Sequence, residues 1–208
     1  HTADSWRISG DIAANFESVM HIVDQNADLW KYAGPGHVND MDMLQVGRGM
    51  SYEEDKTHFS MWCIMSSPLL AGNDLTDMSE ETIEILTNEE LIAINQDPLV
   101  YQARRLVDNG NTEIWARPLK STMSGEVAVA LLNRSEEQQT MELNLEEVAI
   151  DPAKGYVIRD CWAHKTAPES TKSKVSYEVP AHGVIVLKIT GTNPSYNVFQ
   201  FAEGERPE

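Results

Sequence analysis

Apolar residues recur at the spacing of one helix face in the first half of the chain. The segment 11–28 shows this spacing through apolar residues at positions 12, 16, 19, 20 and 23, and Ser9 or Asp11 could cap its N-terminus. Three further helices are predicted, from Ser51 to the Ser-Ser-Pro sequence at 66–68, from Ser79, and over 89–95.

Short apolar stretches between these helices predict strands at 1–7, 38–46 and 69–72, the last of them buried. Alternating strands and helices indicate a parallel sheet, because parallel strands need crossover connections. In a barrel of this class the working residues lie at the C-terminal ends of the strands. Three such units cannot close a barrel, which takes about eight. The polar residues at these ends are Asp11, Asp40, Asp42 and the pair Asn73-Asp74.

The pattern changes after residue 98 to short stretches that alternate or are rich in β-branched residues. Turn sequences separate them, which predicts an antiparallel β-sandwich. We therefore expect strand–helix units over 1–99, a sandwich over 100–191 and a polar tail over 192–208. The predicted strands are 112–117, 126–133, 142–145, 155–160, 174–179 and 184–189.

Charge and cysteine content narrow the classes of partner. The chain has 16 Lys and Arg residues and 33 Asp and Glu residues, which gives a net charge of −17. This charge argues against nucleic acid or an anionic membrane as the partner, and it is compatible with a neutral sugar. Cys63 and Cys161 form no Cys-x-x-Cys motif, so two buried thiols are favoured over a disulfide or a metal, and the compartment is left open. The chain starts at His1, without a signal peptide, and we expect it to be a piece of a longer protein.

Two polar segments carry the candidate chemistry. Arg7 and Asp11 lie four residues apart, and Asp40 and Asp42 alternate after a Pro-Gly turn. In an extended strand the two carboxylates would point to the same side. These residue types suit catalysis on a sugar. One carboxylate could transfer a proton, the other could hold a hydroxyl group, and the arginine could bind both.

Simpler interpretations remain open for the same residues. Asp11 could be only a helix cap. Asp40 and Asp42 could bind a metal together with Asn39, although the loop glycine and third ligand of a calcium site are missing. Residues 133–135 (Asn-Arg-Ser) match an N-glycosylation pattern, although a turn also explains them.

Four segments resemble glycoside hydrolase family 27, which contains α-galactosidases and α-N-acetylgalactosaminidases. They are 5–12 (SWRISGDI), 32–44 (YAGPGHVNDMDML), 67–75 (SPLLAGNDL) and 94–98 (INQDP), in the family's order. The family fold is a (β/α)8 TIM barrel followed by an antiparallel β-sandwich. The resemblance therefore implies that 1–99 is the C-terminal part of the barrel, its last three β/α units.

The resemblance also implies roles for individual residues. Asp11 would be the catalytic acid/base. Arg7, Asp42, Met43 and Trp6 would bind substrate, with Trp6 supporting the loop. The implied activity is retaining hydrolysis of terminal α-D-galactosidic bonds in oligosaccharides or glycoconjugates, with no cofactor and no metal.

The second motif departs from the family, which usually has Trp and Pro where this chain has Val38 and Met41. Asp40 and His37 resemble structural residues near the site. The family's nucleophile, an Asp in a Lys-Tyr-Asp motif, is not in this chain, so we expect the chain alone to be inactive and to pair with the missing N-terminal barrel half. The alternatives are a non-catalytic carbohydrate-binding or structural fragment, or specificity for α-N-acetylgalactosaminides or β-L-arabinopyranosides.

Overall fold

A computed structural model of the chain describes residues 3–195 and 198–199, so part of the predicted tail lies outside the described residues. The first half contains β1 (Ser5–Arg7), α1 (Phe16–Asn26), β2 (Val38–Asp40), α2 (Tyr52–Ile64), α3 (Glu80–Leu86) and α4 (Glu89–Asn95). The second half contains β3 (Arg104–Asp108), β4 (Thr112–Pro118), β5 (Glu126–Asn133), β6 (Gln139–Asn144), β7 (Val157–Asp160), β8 (Lys165–Thr166), β9 (Lys174–Val179) and β10 (Val184–Thr190).

The first half is a partial α/β unit with parallel strand neighbours. β1 and β2 pair in parallel, and a single parallel bridge joins Leu44 to Ala71. Gly72 is needed at this bridge, because a Cβ atom there would clash with the Leu44 carbonyl and lie 2.8 Å from the Met43 sulfur. The predicted buried strand at 69–72 is wrong: Leu70 is 56% exposed, because within the described residues the segment pairs only along its Leu44 side.

Helix starts follow local capping chemistry. α1 begins after Asn15, whose Oδ1 accepts the Ser18 amide at 2.8 Å, so the predicted caps Ser9 and Asp11 are wrong. The helix after Ser51 is confirmed, with both hydrogen bonds of a capping box between Ser51 and Glu54. The predicted helix starting after Ser79 and the helix over 89–95 are confirmed as well.

The second half is a β-sandwich, as predicted. Its larger sheet has six antiparallel strands in the order β3-β4-β5-β10-β7-β8, and β6 and β9 form a separate antiparallel pair. The sequence pattern did not predict β3 and β8. β3 contains Arg104 and Arg105, which interrupt its apolar alternation, and β8 has only two residues.

Strands β4 and β5 of the six-stranded sheet are buried on both faces. Val127, Val129 and Leu131 of β5 share a core with residues of β6 and β9. The alternate residues of β5 (128, 130 and 132) share the other core with α2, in which every residue from Thr57 to Ile64 is buried. Burial on both faces explains why β5 is a continuous apolar run rather than an alternating one.

Cys63 and Cys161 are free and buried, as predicted. Burial raises the pKa of the Cys161 thiol to about 12 and that of Cys63 well above its usual range, so both thiols stay protonated at neutral pH. Within the described residues, no helix is long and apolar enough to cross a bilayer.

Asn133 is buried at the end of β5. Its Nδ2 donates to the carbonyls of Glu137, Val179 and Pro180 at 2.7, 3.1 and 2.8 Å, and its Oδ1 accepts the Ser135 amide at 2.9 Å. An oligosaccharide on this nitrogen would remove these bonds. The structure therefore contradicts the N-glycosylation interpretation and supports a turn.

We expect Asn133→Asp to destabilise the protein by about 2–4 kcal/mol, because it keeps the acceptor but replaces a buried NH2 donor, which contacts three carbonyls, with a carboxylate oxygen facing them. Asn144→Asp is the matched control: Asn144 is only half-buried and donates to the exposed Glu147, so its cost should stay below about 1 kcal/mol. Urea unfolding measures both. Equal costs for the two variants would contradict a structural role for the Asn133 amide.

Candidate active site

The C-terminal ends of β1 and β2 bring three predicted site residues together. The parallel register places Arg7 opposite Asp40, and the loops after the two strands place Asp11 and Asp42 beside Arg7. A single guanidinium nitrogen, Nη2, lies 3.0 Å from Asp11 Oδ1 and 2.9 Å from Asp42 Oδ2. Arg7 therefore bridges the two carboxylates and offsets their mutual repulsion.

Asp42 is held by hydrogen bonds at each of its polar groups. Its backbone amide donates to Asp40 Oδ1 at 2.8 Å, and its carboxylate accepts the Ile12 amide at 2.8 Å and the Met43 amide at 2.7 Å. Its carbonyl accepts the indole N–H of Trp62 at 2.8 Å. Only 8% of the side chain is exposed.

The backbone of Asp42 turns sharply, with φ at 77°, in the left-handed region that residues other than glycine rarely adopt. The strand therefore ends at Asp40. The expectation that Asp40 and Asp42 point to the same side of an extended strand is wrong for this reason. Instead, the Asp40 carboxylate accepts the Asp42 amide, and the structural role that the resemblance implies for Asp40 stays a prediction.

Asp11 differs from Asp42 in its exposure. Its side chain is 99% exposed, and Arg7 is its one hydrogen-bond partner among the described residues. Because Asn15 caps α1, helix capping does not explain Asp11. Asp11 is therefore the solvent-accessible carboxyl group of this cluster.

The metal interpretation is not supported by the geometry. Asn39 is buried on the other side of β2, where its Nδ2 donates to the Leu29 carbonyl at 2.9 Å and to Gln102 Oε1 at 2.7 Å. Asp40 and Asp42 bind backbone amides. In the described part of the chain, no group of three or more His, Cys, Asp or Glu side chains could hold a metal ion.

Trp6 and His37 contact each other beside the cluster, with stacked rings whose centroids are 6.4 Å apart. Alternation along β1 puts Trp6 on the opposite side of the strand from Arg7, so its assignment to substrate binding stays a prediction. Met43 is 40% exposed at the rim of the cluster, and its substrate contact also stays a prediction.

Sequence reasoning missed the residues of α2 that support this site. Trp62 binds the Asp42 carbonyl, and His58 Nε2 accepts the Gln45 amide at 2.8 Å. Burial lowers the pKa of His58 to about 3, so it is neutral at physiological pH. The sequence places both residues on the apolar side of a helix, and their four-residue spacing was the only available signal.

A cavity of about 630 Å³ lies between the loops at 47–50 and 72–79. Asp55 lies in its wall, where Oδ2 accepts the Gly47 amide at 2.9 Å and Oδ1 has no hydrogen-bond partner among the described residues. Burial raises the pKa of the Asp55 carboxyl to about 6. A carboxyl group with this pKa changes its charge around pH 6 rather than near pH 4.

The order of a partial α/β unit and a β-sandwich is also found in known proteins, and comparisons with them identify the family. Two family models match the chain, "Alpha galactosidase A" over residues 1–97 and "Alpha galactosidase C-terminal beta sandwich domain" over residues 109–189. Alpha-galactosidase A of Cellvibrio japonicus is 43% identical over 89% of this chain and 50% of its own length. Alpha-galactosidase 3 of Arabidopsis thaliana is 39% identical over 93% of this chain and 45% of its own length.

Solved structures show the same architecture. α-Galactosidase I from Mortierella vinacea superposes with a TM-score of 0.88 at 31% identity, over 93% of this chain and 55% of that one. A β-L-arabinopyranosidase of the same family from Geobacillus stearothermophilus superposes with a TM-score of 0.82 at 26% identity, over 96% of this chain and 46% of that one. The chain belongs to glycoside hydrolase family 27, the α-galactosidase family, and spans about half the length of the relatives it matches.

We expect Asp55→Asn to raise the stability of the protein more at pH 8 than at pH 5. The folded-state pKa of about 6 lies above the unfolded value, so Asp55 favours folding at low pH and loses this contribution as the pH rises through 6. Removing the ionisable group should increase the free energy of unfolding by about 1 kcal/mol more at pH 8 than at pH 5.

Urea unfolding at both pH values measures this gain. The variant Asn73→Ala changes the same cavity without a titrating group and should shift stability equally at both pH values. If Asp55→Asn also shifts stability equally at both, the Asp55 carboxyl does not titrate in this range.

Proposed function

We propose that the protein containing this chain is a retaining α-galactosidase. Asp11 protonates the oxygen of the leaving group and then removes a proton from the incoming water. The observation that carries the proposal is the bridge from Arg7 to an exposed Asp11 and a buried Asp42. One carboxyl group is thus open to the reacting oxygen, and the other is fixed beside it.

Substrate binding falls to the residues around this bridge. Asp42 is held at both carboxylate oxygens, so it can accept hydroxyl groups of a sugar from a fixed position. Arg7 presents a planar group of N–H donors to neighbouring hydroxyl oxygens. Met43 presents exposed apolar surface to the C–H face of the ring.

The nucleophile comes from outside this chain in our proposal. A retaining enzyme needs a second carboxylate about 5–5.5 Å from the acid/base. Asp42 is near enough to share Arg7, but its two oxygens already accept two backbone amides, which makes it a poor nucleophile. The sequence also lacks a Lys-Tyr-Asp motif.

The partner that supplies the nucleophile is the N-terminal half of the barrel. The parallel neighbours of the first half and the exposed segment around Leu70 offer strand edges to which further strands can pair. The substrates are terminal α-galactosides of oligosaccharides or glycoconjugates.

Hydrolysis of β-L-arabinopyranosides is a second candidate function. The Geobacillus stearothermophilus relative covers 96% of this chain at 26% identity and is named for that activity. The two sugars share the arrangement of their ring hydroxyl groups, and arabinopyranose lacks the hydroxymethyl group. A comparison of kcat/KM for aryl α-galactoside and aryl β-L-arabinopyranoside distinguishes the two activities.

We expect Asp11→Asn in the complete gene product to lower kcat/KM for an alkyl or sugar α-galactoside by about 10²–10⁴-fold, because a poor leaving group needs protonation. An aryl galactoside with an acidic phenol should lose much less. Asp28→Asn, which removes an exposed carboxylate away from the cluster, is the matched control and should keep wild-type activity. An equal loss on both substrates would argue against the acid/base role.

We expect this 208-residue chain alone to show no turnover of a chromogenic α-galactoside, since the retaining mechanism stops without a nucleophile. Intact mass measured on the same preparation excludes a second chain. Turnover by a verified single chain would contradict the proposed origin of the nucleophile. Galactose binding without turnover by the complete protein would favour a carbohydrate-binding module.

A further inference from the structure

Helix α2 directs two buried side chains at the segment that follows β2. His58 and Trp62 lie one helical turn apart, both are fully buried, and their rings pack edge to face with centroids 4.1 Å apart. Trp62 donates its indole N–H to the Asp42 carbonyl at 2.8 Å. His58 Nε2 accepts the Gln45 amide at 2.8 Å, so both ends of the segment 42–45 are bonded to α2.

The hydrogen bond from Trp62 to the Asp42 carbonyl also helps to position the Asp42 carboxylate, because both are linked through one peptide group. The Asp42 carbonyl and the Met43 amide belong to the same planar peptide unit. The carbonyl accepts from Trp62, and the amide donates to Asp42 Oδ1 at 2.7 Å. An indole that fixes one end of this unit therefore fixes the donor that holds the carboxylate.

This peptide needs external support because its conformation is unfavourable. Asp42 has a φ of 77°, which for a residue other than glycine costs on the order of 1 kcal/mol or more. Such conformations persist where the surrounding structure determines them. Helix α2 can do so, since it is buried between the six-stranded sheet and the segment after β2, whose Met41, Leu44 and Val46 share its core.

We propose that His58 and Trp62 are positioning residues for sugar binding, which hold the segment 42–45 so that the Asp42 carboxylate faces the substrate. The proposal rests on the proposed function, because it assigns the role through the sugar contact of Asp42. Neither side chain touches the reacting atoms. Their loss should therefore weaken binding of the galactosyl ring more than it slows the chemical step.

The test is Trp62→Phe in the complete gene product, which keeps the aromatic ring and removes the indole N–H. We expect KM for an aryl α-galactoside to rise about tenfold, with kcat changed less than about threefold. Trp115→Phe is the matched control: Trp115 is equally buried and donates its indole N–H to Glu113 at 2.7 Å in the sandwich. It should lower Tm comparably and leave KM unchanged. Equal KM values in the two variants would overturn the proposal.

His58 is tested by a pair of variants. His58→Leu removes the acceptor of the Gln45 amide and should raise KM as Trp62→Phe does. His58→Gln keeps a side-chain oxygen that can accept this amide and should restore KM at least in part. If the Gln variant is as impaired as the Leu variant, the hydrogen bond to Gln45 is not what positions the segment.

Hydrogen exchange of the wild type and the variants separates this proposal from the proposed function. Trp62→Phe should speed exchange of the Met43 amide about tenfold relative to Trp115→Phe, whatever the substrate. A wild-type protein without galactosidase activity would overturn the proposed function, and the exchange data would still support or refute the positioning of Asp42. Unchanged exchange at Met43 would refute it.

Discussion

The hydrogen bonds of Asp42 are the interaction on which the candidate site depends. Together with the ion pair to Arg7, they join Asp42 to four parts of the chain: β2 through Asp40, β1 through Arg7, the loop after β1 through Ile12, and helix α2 through Trp62. Each donor satisfies a polar group that would be costly to bury alone. The same bonds stabilise a left-handed conformation that the residue would otherwise avoid. The site is therefore rigid at Asp42 and open at Asp11.

Rigidity at Asp42 depends in turn on the β-sandwich. Helix α2 packs on the face of β5 that carries Ala128 and Ala130, whose small side chains let the helix approach closely. A buried helix with little freedom to move can hold both Asp42 and Gln45 through single hydrogen bonds. In this arrangement the sandwich supports the site without contributing a residue to it. This gives a physical reason for the two halves to occur together.

Sequence patterns predicted the features that local chemistry determines. Ser51 and Ser79 cap their helices through contacts within four residues, and the apolar stretch that forms β5 is visible without any partner strand. The start of α1 was misplaced because Ser9, Asp11 and Asn15 are all good caps, and packing chooses among them. The turn at Asp42 has no sequence signature, since a left-handed Asp is held by contacts 20 and 30 residues away.

The contrast between Asp11 and Asp42 fits the different work that we propose for the two carboxylates. A group that binds hydroxyls has a higher affinity when it is fixed before the substrate arrives, because the entropy lost in ordering it is lost during folding and not during binding. A group that transfers a proton must reach the reacting oxygen and then a water molecule, and full burial would remove it from both. Arg7 serves both requirements, since one nitrogen bonds to the fixed carboxylate and to the exposed one. Arg7 therefore links the proposed acid/base to the proposed sugar contact, while Asp11 takes no part in the hydrogen bonds with two backbone amides and Trp62 that fix Asp42.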